Sequence, residues 1–528
     1  VAGAGVPGRR IPAGPVIVPG TIAQAAGPVI VPGTIAQAGG DMSEAAPIPF
    51  SETKGPEAPE RLHRGALRLV DISASTMANI GPAYSFFFGF AFLVVTAGVA
   101  APLTIVAAGV AIALLGNTLA QFSRAQPSTG GFISFVGKTF GGPSAVTTAL
   151  LCGAGYIIAI SSVLAVVGGF VSLTLQHYLG WNIPWGIFTV VLTAAAVLMM
   201  VRGVAVSTKL AGFFFVFEML VLVVVSFIAI IQHAGHLSAV PFEPGHLTNG
   251  FSGLAAGFPL AIYLFIGWEN SAALAEETGN PRRNVPRAVF LSIALMVVSY
   301  LLFAFATVTG FGYSGAKLAA APIPFITVSG NIAPAFAAFA YIAGMTSTLG
   351  VLIAAANSQS RLIFNAGREG LLPRWLGRVH PERRTPMNAI YAFVALAGGI
   401  ILIWVLGHVI GGHTGSMDPL NFFFESSTMG TILVLVVYFL ANLALPFYYR
   451  KYRPAEFSLV KHLVLPVLGM AAIAVPVYYL CKPGQAAPYD WFPYAALAIV
   501  VVAVIYATVL SRRDPGLGER AGSIIADE

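Results

Sequence analysis

From residue 72 onward this chain keeps returning to apolar runs of about 20 residues, the length that crosses about 30 Å of hydrocarbon as a helix. Twelve such runs can be placed, near 72–96, 101–123, 143–173, 184–201, 207–232, 251–276, 287–311, 334–363, 387–410, 421–448, 462–481 and 492–511. Nothing constrains the fold more. A backbone surrounded by lipid must satisfy its own amides and carbonyls, and a helix does so within one segment. Only 9% of the 528 residues are charged and 57% are hydrophobic, against about 25% charged in a soluble domain. The pattern predicts an all-α integral membrane protein, and an even number of crossings puts both termini on one side.

The basic residues choose that side. With the N-terminus inside, all but two of the 28 lysines and arginines fall in cytoplasmic tails and loops, and only Lys317 and Lys482 fall outside. Basic loops stay on the cytoplasmic face, so the expected location is the cytoplasmic membrane with both termini cytoplasmic and lipid all round. The net charge of +7 then reflects orientation and argues against a nucleic-acid partner. Cys152 and Cys481 lie in or beside apolar runs without metal-ligand spacing. No phosphate cradle, zinc spacing or nucleophile motif sits in a credible context, so no metal, cofactor or enzymatic role is expected.

Residues 1–66 contain no spanning run. They carry a tandem repeat, GPVIVPGTIAQAA (14–26) and GPVIVPGTIAQAG (27–39), whose prolines and glycines oppose helix continuity and predict disorder. The first methionine is Met42, which leaves open that the residues before it are an upstream extension. Arg9 and Arg10 are not followed by the apolar stretch and cleavage site of a signal peptide.

Two runs are interrupted. Gly81-Pro82-Ala83 falls in the middle of the first, flanked by Asn79 and Tyr84, and Phe265-Ile266-Gly267-Trp268 falls in the sixth, followed at once by Glu269. Proline inside a helix removes a donor and clashes with the carbonyl four residues back, costing about 3 kcal/mol. A charged side chain at the bilayer centre costs about 2.5–3.5 kcal/mol, so a carboxylate there marks a cavity or pathway. Interruptions at matching positions of two five-span halves are expected where an inverted repeat encloses a binding site. The freed amides would attract an anion such as a carboxylate, and the freed carbonyls a cation such as an ammonium group.

Three stretches carry a family likeness: FIGWEN running on to EETGNPRRNVPRA (276–288), QPSTGGFISFVGKTFG (126–141) and SRLIFNAGREGLLPRWLGRVHPERRTPMNA (360–389). They resemble the amino acid–polyamine–organocation superfamily of secondary carriers over roughly residues 70–480. The resemblance implies a five-plus-five inverted-repeat fold of the leucine-transporter type, with twelve transmembrane helices, discontinuous helices 1 and 6, and two accessory helices. The expected divisions are a tail (1–66), a first repeat (67–233), a second repeat (234–450), accessory spans (451–511) and a C-terminal tail (512–528).

It also implies that the substrate-binding breaks fall on Gly81, Pro82 and Ala83 and on Phe265, Ile266 and Gly267, with Glu269 just after. Many relatives carry Gly-Ser-Gly or Gly-small-Gly in span 1, whose amides hold a substrate carboxylate. Pro82 cannot donate, so either the amides of Ala83 and Tyr84 suffice or the substrate is an amine with no carboxylate. Asn79, Tyr84, Tyr156 and Trp268 complete the candidate substrate-binding set. Spacing from Gly203 places Glu218 where some proton-coupled relatives carry a span 5 lysine, next to the space between spans 1 and 8 that holds sodium in other relatives of this fold.

Burial disfavours the charged form of a carboxylate, which suits it to exchange a proton as its surroundings turn wet and dry. Glu218 and Glu269 are therefore the candidate proton-coupling groups. Glu425, near the outer end of span 10, is better explained as a hydrated charge. Thr346, Ser347 and Thr348 are helix-bonding hydroxyls or a site lining, and His233, His236 and His246 are loop residues. Glu276 and Glu277 are expected to pair with nearby arginines. The reading is a proton-coupled permease for an amino acid or related amine, working by alternating access as a monomer or homodimer. An exchanger of such solutes is the alternative, and a channel or transport-derived sensor is more remote.

Overall fold

Where proline sits at the start of an apolar run, a helix begins. A computed structural model describes residues 65–412, 417–521, 523 and 526, so the predicted tandem-repeat tail lies outside the described residues. Helices α1 (Leu69–Ile80), α2 (Pro82–Ala97) and α3 (Ala101–Ala125) are followed by α4 (Phe132–Phe140), α5 (Gly142–Leu179), α6 (Trp185–Val201) and α7 (Val204–Gln232). Then come α8 (Gly250–Tyr263), α9 (Asn270–Ala273), α10 (Pro281–Gly310), α11 (Gly315–Ala320), α12 (Pro324–Ile332) and α13 (Pro334–Arg368). Helices α14 (Met387–Ile410), α15 (Pro419–Tyr452), α16 (Leu465–Cys481), α17 (Phe492–Arg513) and the short α18 (Leu517–Arg520) complete the order. Pro82, Pro281, Pro334 and Pro419 each open their helix, where a missing amide leaves no bond unmade.

The fold is all-α and of the leucine-transporter type, with helix 1 divided into α1 and α2 and helix 6 into α8 and α9. Among the described residues nine helical segments are long and apolar enough to cross a membrane. The first of them, Leu69–Ala125, takes in α1, α2 and α3, while α6 and α8 are apolar but shorter. Helix α5 packs along α15, α3 along α10 and α7 along α13. The broken pieces lie among these, α1 against α7, α10 and α13, and α2 against α8. Helix α17 is peripheral. Its buried residues are Ala496, Ala503 and Ala507, a small-residue stripe that lets one apolar helix approach another, while Leu497, Val502 and Ile505 point outward.

One end of the bundle is tied together by polar contacts. Glu277 pairs with Arg361 and Glu276 with Arg368 at 2.8 Å, all four side chains at most 3% exposed, which joins the segment after α9 to α13. Beside them the chain leading into α1 forms a bridge, with Leu67 N donating to Glu277 O and Gly279 N to Leu67 O. Arg282 and Arg453 donate to the carbonyl of Ala125, where the last turn of α3 carries partial negative charge.

Deleting one partner of a fully buried ion pair leaves an uncompensated charge, costing about 3–5 kcal/mol, whereas replacing both by apolar groups is often neutral. Arg361→Met is therefore expected to lower the melting temperature in detergent sharply, and Glu277→Leu with Arg361→Met to restore most of it. Equal losses in the single and double variants would show that the pair is not what holds this end.

Candidate functional site

Helix α1 stops because Gly81 turns left-handed. Its φ is 63°, its N–H closes on Met77 O at 3.1 Å, and a Cβ added there would lie 2.1 Å from Val351 Cγ2. Only glycine meets both demands cheaply. In an unbroken helix the Ala83 amide would go to Asn79 O and the Tyr84 amide to Ile80 O. Instead Ala83 N donates to Glu218 Oε2 at 2.9 Å and Tyr84 N to Ser347 Oγ at 3.0 Å. Glu218, on α7, is 1% exposed and Ser347, on α13, is fully buried. The positive end of the α2 dipole therefore faces a carboxyl group supplied by the protein.

The second break is built the same way from different parts. Helix α8 ends at Tyr263, and residues 264–269 form a run of turns with Gly267 at φ 107°. Glu269 folds back onto the break, with Oε2 accepting from Gly267 N at 3.2 Å and Oε1 from Tyr156 Oη at 2.8 Å. Two asparagines join the breaks: Asn79 Nδ2 donates to Gly267 O at 3.3 Å, and Asn270 Nδ2 to Ser75 Oγ at 3.1 Å. The hydroxyls of Tyr84 and Tyr263 meet at 2.9 Å.

Two small cavities flank this crossing. One, of about 40 Å³, is lined by Asn79, Tyr84, Ser85, Tyr263, Ile266 and Gly267 among others. The other, of about 20 Å³, touches Asn79, Tyr156, Glu269, Asn270 and Gln359, and Asn79 and Gln359 line both. A single water needs about 10–15 Å³ on this scale, so the protein is closed around the crossing and a solute needs the walls to part.

The candidates divide accordingly. Asn79, Tyr84, Tyr156, Ile266, Gly267 and Glu269 line a cavity; Gly81, Pro82 and Ala83 set the backbone beside it; and Glu218 caps it. The structure does not bring the side chains of Phe265 and Trp268 to either cavity. Both are fully buried, Phe265 edge-on to Tyr300 at 5.3 Å and Trp268 near Tyr438 at 5.7 Å. Bonds from residue i to i−3 run through this turn, so residues three apart eclipse and share one side, here the packed one.

The freed amides of Ala83 and Tyr84, which on one of the two expected readings would hold a substrate carboxylate, are already engaged by Glu218 and Ser347. Of the span 8 hydroxyls only Ser347 reaches the break, since Thr346 and Thr348 bond carbonyls of their own helix. Glu425 accepts from Trp404 Nε1 at 2.8 Å. Tyr263 and Gln359 escape the sequence reading. Tyr263 had a usable signal, lying one helical turn before Gly267.

A membrane carrier built around two broken helices is the class that this fold and crossing define. The amino acid permease family profile matches residues 67–511, and the chain belongs to that family. The branched-chain amino acid permease BcaP of Bacillus subtilis is 23% identical over 427 residues, 77% of this chain and 86% of that protein. The mouse Asc-type amino acid transporter 1 is 28% identical, with 54% of each chain covered, and the D-serine/D-alanine/glycine transporter of Escherichia coli K12 is 25% identical over 44% of this chain and 48% of its own length. The chain thus spans about half the length of these last two. A solved manganese transporter of Eremococcus coleocola superposes with a TM-score of 0.51 at 12% identity, covering 84% of this chain and 95% of that one, a likeness of fold alone. The relatives are transporters, not enzymes, and this chain is a multi-pass membrane protein.

Because Gly81 is both left-handed and in contact, Gly81→Ala carries a backbone penalty of about 1–2 kcal/mol besides displacing Val351. The variant is expected to insert but to melt lower and to lose most solute uptake. Wild-type uptake would mean that the break tolerates a different backbone.

Proposed function

We propose that this protein is a secondary active transporter that moves an amino acid or related amine across the cytoplasmic membrane by alternating access, coupled to protons. The carrying observation is that each helix break holds a buried carboxyl group on its freed amide, Glu218 on Ala83 and Glu269 on Gly267. A carboxyl group in that position is neutral or ionised at little difference in packing, and its preference changes when the surroundings admit water. Proton uptake and release then accompany the opening of one side and the other, with Glu218 or Glu269 as the titrating group.

The wider architecture supports the same cycle. Residues 67–233 and 234–450 act as the two repeats, 451–511 as accessory spans, twelve crossings in all, with both termini on the cytoplasmic side that basic loops favour. The relatives' amino acid substrates support a solute bearing an amino group. On this topology the buried pairs Glu277–Arg361 and Glu276–Arg368 close the cytoplasmic end.

In proteoliposomes, an inward proton gradient should drive uptake and a protonophore should collapse it; an exchanger would instead require internal solute, which counterflow reveals. Glu269→Gln keeps the shape but not the charge and is expected to abolish or strongly impair uptake while the protein folds and inserts. Full transport by this variant would remove Glu269 from the mechanism.

A further inference from the structure

The backbone donors at the two breaks can be followed one by one. Gly81 N goes to Met77 O, Pro82 has none, Ala83 N goes to Glu218, Tyr84 N to Ser347 and Ser85 N back to Gly81 O. At the second break Leu264 N goes to Leu260 O, Phe265 N to Ile262 O, Ile266 N to Tyr263 O, Gly267 N to Glu269 and Trp268 N to Phe265 O. No amide from 81 to 85 or from 264 to 268 is left for a ligand. Trp268 Nε1 has no partner, but that ring lines neither cavity.

Acceptors are in surplus at the same place. Pro82 offers nothing to the carbonyl of Ala78, and the amide that would satisfy Asn79 O has gone to Glu218. Glu269 lines one cavity, Tyr84 and Tyr263 line the other, and the ring of Phe423 lies 5.5 and 5.7 Å from those two tyrosine rings. Acceptors and aromatic faces both attract a cation.

We infer that the solute carried here is a protonated amine without a carboxylate, an inference that rests on the transport function proposed above and narrows its substrate class. An amino acid would bring its own carboxylate to a crossing where Glu269 already lines a cavity and the amides of Ala83 and Tyr84 are engaged. It would have to displace Glu218 from Ala83 or Ser347 from Tyr84. An amine needs neither step, and its charge offsets a buried carboxylate that is costly alone.

The test is a set of matched pairs, isoamylamine with leucine, phenethylamine with phenylalanine, cadaverine with lysine and ethanolamine with serine, read by thermal shift of the purified wild-type protein. For at least one pair the amine is expected to stabilise at a concentration about tenfold or more below that of its parent, the factor of about 1.4 kcal/mol. Parent amino acids binding more tightly in every pair would overturn the inference and leave the transporter standing. Stabilisation by no member of any pair would overturn the transport reading and this inference with it.

A second comparison addresses the cause. Glu218→Gln keeps an acceptor for Ala83 N–H, whereas Glu218→Ala frees that amide. The alanine variant is expected to shift the amine-to-amino-acid preference at least severalfold toward the amino acid, and the glutamine variant to keep the amine preference. Should Glu218→Ala fail to fold, Ser347→Ala frees the Tyr84 amide and is expected to shift the preference in the same direction. An unchanged ratio in the freed-amide variant would overturn the proposed cause.

Discussion

Hydrogen-bond satisfaction of a helix interrupted at membrane depth is the constraint on which this structure turns. Water cannot reach the amides that Gly81 and Pro82 release, and each left unmade costs several kcal/mol in lipid. The protein answers with side chains from helices far away in sequence: Glu218 on α7 and Ser347 on α13. Those two contacts bring α7 and α13 to the break in helix 1.

The two breaks share a principle and differ in their parts. The first is capped from outside its own helix, while the second caps itself, since Glu269 is two residues past the amide that it holds. Asn79 and Asn270 then bind one break to the other in both directions. Movement of α1 or α2 is therefore felt at residues 264–270, and the ion pairs of Glu276 and Glu277 lie only a few residues beyond.

Much of the fold was legible in the chain because lipid imposes a simple rule on composition. Apolar length, proline at helix starts and a Gly-Pro pair in mid-run are local signals, and the helix boundaries follow them: α2 opens at Pro82, α10 at Pro281 and α13 at Pro334. Glu269 announced itself in the same way, as a charge where charge is costly. The side chains of Phe265 and Trp268 lie away from both cavities because side-chain direction within a tight turn depends on local bonding that composition does not carry.

By itself, then, the sequence determined that the chain lives in a bilayer, where its helices break and that Glu218 and Glu269 lie within its spans, since each is set by the free energy of placing a residue type in hydrocarbon. Only the tertiary structure decided what those acids hold. The pairing of Ala83 with Glu218 spans 135 residues and that of Tyr84 with Ser347 spans 263. Contacts so distant depend on how helices pack against one another, and helical packing is fixed by shape in three dimensions, not by the order of residues along any one segment.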